Sequence, residues 1–329
     1  MNFPKYYIGP MSKNVVDCVM EHGQQHFVGL IPSRRQVDFN CGYVNNWNTK
    51  TFSEYVDNKV LLCRDHGGES QGTYSDDGKD SFENDCKYFD LIHVDPFRAS
   101  KNIEDAALKT IEYIKFCFSK NQKILYEVGT EEAIFKYQPE ELKVFLDILK
   151  RELSEEEFFN IKYAVVQSGT RLHLPTRTNI GNFDIDRLKR FVDVVKDFDL
   201  MSKEHNGDYL IDSCDVGIRF SSGLDAINIA PEFGQIESEY YLERCKKDKI
   251  LIEELYQLCY NSNKWKKWIP DISRVSKQQL IITCCHYIFS DAEFLSKVKS
   301  NFPRSDIYIR KRINSKLKFL HEQTKGNCI

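Results

Sequence analysis

Residues Asp90–Phe118 read DLIHVDPFRASKNIEDAALKTIEYIKFCF. The first five form a short apolar run, Asp90–Val94, that stops at the polar Asp95-Pro96-Phe97-Arg98. From Asp105 the apolar residues Ala107, Ile111, Ile114 and Phe118 fall at helical spacing. This is one strand followed by one amphipathic helix, with polar chemistry at the end of the strand. Working outward, the same unit recurs. Its apolar runs are Lys5–Gly9, Phe27–Ile31, Val60–Cys63, Asp90–Val94, Ile124–Tyr126, Tyr163–Val166, Asp199–Ser202 and Ala226–Ala230. Helices are predicted at Pro139–Leu153, with Pro first and acids in the opening turn, and at Asp184–Phe198 behind an Asp cap. Strands alternating with helices imply parallel βα units. An open doubly wound sheet competes with a closed barrel. Eight units with polar residues after the strands favour an α/β fold of the (β/α)8 TIM-barrel type, with its site at the strand C-termini.

The chain has 329 residues, more than the roughly 250 a minimal barrel needs. The reading is a barrel over residues 1–240 and a helical C-terminal extension over 241–329. A net charge of −3 gives no electrostatic case for nucleic acid or an anionic membrane. No apolar run approaches the ~20 residues that span a bilayer, and the first residues lack a secretory pattern. Eleven scattered cysteines with no CxxC spacing read as reduced, mostly buried thiols of a cytoplasmic protein.

Chemistry-bearing residues cluster after the runs. Asp65-His66 pairs a carboxylate with an imidazole: His66 suits a divalent metal, Asp65 proton transfer on a bound substrate. His205 is the second imidazole, with Glu204 and Asn206 beside it. Glu127, followed by Glu131 and Glu132, is a metal ligand, a substrate ligand or a partner for an arginine. Asp95 either holds a ligand histidine in its tautomer or contacts substrate. Arg34, Arg35 and Arg171 suit a phosphate or carboxylate. Lys203 opens a Schiff-base alternative. The polar stretch Gly67–Asp85 is a candidate lid or a solvated loop. The basic-aromatic Lys264–Trp268 reads as a helix end tucked on the barrel.

Taken in order, these segments resemble the class II, metal-dependent ketose-bisphosphate aldolase superfamily, and within it the Z-type subunit of tagatose-bisphosphate aldolases. The elements are RDHGG (64–68), IHVDPF (92–97), YEVGTE (126–131), VVQSGTRLHL (165–174) with NFDIDRL (182–188), KEHNGDY (203–209) and INIAPEFG (227–234). The resemblance implies Asp65 as the proton-transfer residue, His66 and His205 as ligands of a divalent metal, expected to be Zn2+, and Asn228 at the substrate. It implies aldol or retro-aldol chemistry at the C3–C4 bond of a ketose or ketose phosphate, through a metal-stabilised enediolate. A 4-epimerase working by cleavage and re-joining is the alternative, and a non-catalytic aldolase subunit the second. A homo-oligomer or a partner aldolase subunit is expected. Two departures stand out. Arg171-Leu172 replace the histidine expected after Gly-Thr, which leaves His173, Gln167 and Glu127 as candidates for the third ligand. Asp208 and Pro231-Glu232 stand where a phosphate would be cradled.

Overall fold

The computed structural model describes residues 3–130, 137–210 and 213–323. Eight parallel strands close a barrel: β1 (Tyr6–Ile8), β2 (Val28–Leu30), β3 (Leu61–Gly67), β4 (Leu91–Val94), β5 (Leu125–Val128), β6 (Ile161–Val166), β9 (Met201–Glu204) and β10 (Ala226–Ile229). Each predicted run overlaps one of them. The two numbers left over, β7 (Thr170–His173) and β8 (Thr178–Gly181), form an antiparallel hairpin after β6. The sequence reading treated that segment as a loop. Four-residue strands without apolar alternation carry too little pattern to show.

Helix boundaries follow their caps. Ile103–Lys120 begins two residues before the expected Asp105, because the Asn102 side chain accepts the Asp105 N–H at 2.8 Å. Asp184 caps Ile185–Lys196 in the same way, and Pro139 opens Pro139–Glu152.

Three strands run past their apolar residues into charged ones: β3 to Gly67, β5 to Val128 and β9 to Glu204. Asp65, His66, Glu127 and Lys203 are therefore strand residues, not loop residues. The barrel interior explains how charge is tolerated there. Its floor is apolar, built on Tyr7, Ile31, Cys63, Leu91, Tyr163 and Ala226. Above it the buried Lys203 ammonium sits over the Tyr7 ring at 3.6 Å and meets a Glu127 oxygen at 2.7 Å. A buried charge that is paired and packed on an aromatic face avoids most of its desolvation cost.

The C-terminal segment is helical. Its last helix, Ser305–Gln323, packs along the first, Lys13–Gly23, with Arg310 paired to Asp17 and Glu21. No helix among the described residues is long and apolar enough to cross a membrane. The nine described cysteines are free thiols, and all but Cys41 are buried.

Candidate active site

The C-terminal end of the barrel holds four side chains whose ligand atoms all lie within 4.8 Å of one another: Asp65, His66, His93 and His205. Asp65 and His66 are adjacent in sequence, and a regular strand would send them to opposite faces. The β3–β4 register shifts between Arg64 and Gly67, and His66 adopts a left-handed φ of 46°. This bulge re-aims the pair, so that Asp65 Oδ1 lies 3.5 Å from His66 Nε2. A non-glycine residue held in that region stores backbone strain, a feature concentrated at working sites.

Each histidine is oriented from behind. His66 Nδ1 lies 2.6 Å from Asp95 Oδ2, His205 Nε2 lies 2.6 Å from Glu127 Oε1, and His93 Nε2 lies 2.9 Å from the Gly129 carbonyl. Carbonyls and carboxylates accept, so each of these nitrogens carries its ring's hydrogen. The opposite nitrogens, His66 Nε2, His205 Nδ1 and His93 Nδ1, are left as the acceptor atoms. His93 Nδ1 also takes a long 3.3 Å bond from the His66 N–H. Burial lowers the His93 pKa, which keeps that ring neutral, the form that binds a metal. Burial would raise the Glu127 carboxyl, but Lys203, His93 and His205 together hold it far below the usual range, so it stays ionised behind His205.

The donor set fits a divalent ion. Three imidazole nitrogens, with an acceptor behind each ring and the Asp65 carboxylate beside them, suit a divalent ion that keeps one position open to substrate. Of the candidates for third ligand, none lies in this set. His173 is on the hairpin, its Nδ1 2.6 Å from Thr176 Oγ1. Gln167 donates to the Thr130 carbonyl at 2.8 Å. Glu127 is engaged by Lys203 and His205. The third imidazole of the set is His93, which the sequence reading does not single out. It sits inside LIHV, where a lone imidazole reads as core. Its spacing of two from Asp95, the residue just past the strand, is the available signal, since residues i and i+2 of an extended chain share a face.

The cluster opens into a cavity of about 550 Å³. Arg35, Arg171, Asn206 and Asn228 line it, as do Arg98 and Gln71. Both amide atoms of the buried Asn228 lack a hydrogen-bond partner among the described residues. Two candidates turn inward instead. Arg34 is buried against Asp38 at 2.9 Å, Asp76 at 2.7 Å and the Gly68 carbonyl. Glu204 pairs with Arg219 at 2.8 Å and accepts from the Ser168 N–H. Arg34 thus pins the segment read as a lid; Lys79–Tyr88 of that segment is helix, and Gln71 reaches the cavity. Lys203 does not line the cavity, so the structure seals off the amine a Schiff base needs. Glu131 and Glu132 lie outside the described residues.

The C-terminal segment contributes to the wall. Lys267, Trp268, His286 and Tyr287 line the cavity, and the Trp268 indole donates to Tyr287 Oη at 2.9 Å. Trp265 tucks inward as expected, but Lys267 and Trp268 face the site. Asp208 also lies at the rim. Its carboxylate accepts the backbone N–H groups of Glu232 at 2.7 Å and Ala230 at 3.2 Å, filling the N-terminus of helix Pro231–Cys245. Burial first, and then Glu232, raise its pKa to about 7.

No protein-family model matches this chain, and no curated protein matches it in sequence. Solved structures do match in shape. The chain is similar to a probable tagatose 6 phosphate kinase from Sinorhizobium meliloti 1021, with a TM-score of 0.73 and 16% identity over 93% of this chain and 87% of that one. It is similar to the fructuronate-tagaturonate epimerase UxaE from Cohnella laeviribosi (TM-score 0.62, 10% identity, 97% and 81% covered). It is also similar to a fructose-bisphosphate aldolase from Campylobacter jejuni (TM-score 0.55, 12% identity, 97% and 90% covered). At these identities the likeness shows the shared TIM-barrel fold.

Proposed function

We propose that this protein is a metal-dependent enzyme that breaks and forms the C3–C4 bond of an anionic ketose. One observation carries the reading: three histidines, each oriented by an acceptor, converge beside the Asp65 carboxylate, and Asp65, His66 and His205 line an open cavity. A divalent ion held by His66, His93 and His205, with Zn2+ best suited to the donors, supplies Lewis-acid polarisation of the ketose carbonyl. Asp65 takes the proton of the C4 hydroxyl as the C3–C4 electrons pass to the ketose fragment and C4 becomes an aldehyde. The same carboxylate returns the proton when the fragments re-join. Asn228 offers a donor and an acceptor to substrate hydroxyls. Arg35, Arg171 and Lys267 bring positive charge to the remote end.

The filled helix end supports a particular class of substrate. A helix N-terminus after the last strand is a common phosphate seat in barrels. Here Asp208 occupies those N–H groups. The anion is therefore read as gripped from the arginine side, which suits a carboxylate on a sugar acid as well as a phosphate. The fructuronate-tagaturonate epimerase among the similar folds works on sugar acids by its name, which favours 4-epimerisation by cleavage, rotation of the aldehyde and re-joining as the second reading.

The test pairs metal analysis with a substrate panel. Purified protein is expected to hold a divalent ion that His66→Ala and His205→Ala lose. Ketose phosphates and ketose acids are then assayed for aldehyde release and for inversion at C4. An active site that retains no metal under any reconstitution would overturn the reading in favour of a non-catalytic aldolase subunit.

A further inference from the structure

At the opposite end of the barrel, a second group of imidazoles comes together. His22 closes the first helix, Lys13–Gly23, and His26 lies just beyond it on the turn into β2. His321 sits in the last turn of Ser305–Gln323. One nitrogen from each ring lies within 4.8 Å of the others. The rings of His26 and His321 are 3.5 Å apart between centroids, and those of His22 and His26 are 4.6 Å apart. They face a cavity of about 520 Å³ whose wall includes Phe3, Lys5 and Tyr6. The Tyr6 hydroxyl, buried in that wall, has no hydrogen-bond partner among the described residues.

We infer that His22, His26 and His321 form a second metal site, structural in role, that takes a divalent transition-metal ion of the Zn2+ type and fastens the C-terminal helix to the barrel floor. Three imidazoles that each bring one nitrogen within 4.8 Å of the others match the nitrogen preference of zinc, copper and nickel. The ligands come from residues about 300 positions apart in sequence, so an ion bound here exists only on the folded chain and stabilises it by linkage. The helix it would fasten already bears on the first one through Arg310, and also carries the rim's Lys316–Glu232 pair at 2.6 Å.

Tag-free full-length protein tests this independently of the catalytic reading. The double variant His66→Ala/His205→Ala removes the upper site. That protein is expected to bind one equivalent of Co2+ with the visible absorption of a low-symmetry nitrogen site, and Zn2+ is expected to raise its Tm. Adding His26→Gln, on a partly exposed turn where folding is not at stake, or His321→Gln should abolish both the bound equivalent and the metal-dependent rise in Tm. If either added substitution leaves the stoichiometry and the Tm response unchanged, the lower site does not exist, whatever the upper site does.

Discussion

Glu127 Oε1 lies 2.6 Å from Nε2 of His205, and the other oxygen of the same carboxylate lies 2.7 Å from the Lys203 ammonium. In the proposed metal site Glu127 would act through His205, raising its basicity and fixing its orientation, while Lys203 keeps the carboxylate ionised. Glu127→Gln keeps an acceptor oxygen for only one of the two partners, sets an amide N–H group against the other and removes the charge. Metal affinity is expected to fall roughly 10- to 100-fold, measured by competition with a chromophoric chelator. Affinity equal to wild type would mean that Glu127 only balances Lys203.

His93 separates two ligand sets. His93→Ala is expected to strip the upper site of metal, whereas His173→Ala, on the hairpin, should leave the content unchanged. Elemental analysis of the two proteins decides this, and the reverse pattern would return the third ligand to the β7–β8 hairpin.

Asp65 stands beside the histidines without being needed to hold an ion on three nitrogens. Asp65→Asn is expected to lower turnover by about 10²- to 10⁴-fold, the usual worth of a general base, with metal content preserved. Loss of metal in this variant would make Asp65 a ligand instead.

Arg35 and Arg171 line the cavity away from the histidines. Replacing either with Ala is expected to raise KM for an anionic ketose about tenfold or more, and to leave KM for a neutral analogue unchanged. Equal effects on both substrates would remove charge recognition from these residues.

Asp208 makes stability depend on pH. Its folded pKa of about 7 lies above its unfolded value, so its protonated form is bound more tightly by the native state. The stability it contributes is fully present below the unfolded pKa and is lost as pH rises through about 7. Buried Glu237, also raised to about 7 by burial, acts in the same direction. Wild-type Tm is expected to fall between pH 6.5 and pH 8.5, and Asp208→Asn should fall less over the same range. Parallel curves for the two proteins would show that Asp208 ionises as it does in the unfolded chain.

The barrel was legible because burying one face of a strand and one stripe of a helix imposes periods that survive in sequence; the eight apolar runs announce eight strands. Asp65, His66, Asp95 and His205 were legible because polar residues after an apolar run mark the end of a strand, where barrel chemistry gathers. What stayed hidden depends on contacts between distant segments. His93 looks like a core residue until the Gly129 carbonyl and the His66 N–H hold its ring beside those of His66 and His205. Arg34 looks like an anion ligand until Asp38 and Asp76 enclose it.

The sequence by itself thus determined the closed β/α architecture, the end of the barrel that carries the chemistry and most of the residue types gathered there, because these follow from local periodicity. Only the tertiary structure decided which histidines meet, which carboxylate stands behind which ring, and that Lys267 and Trp268 complete the wall. Those choices rest on a bulge at His66, on strand register and on the return of the C-terminal helices, where residues far apart in the chain settle each other's orientation through hydrogen bonds a few ångströms long.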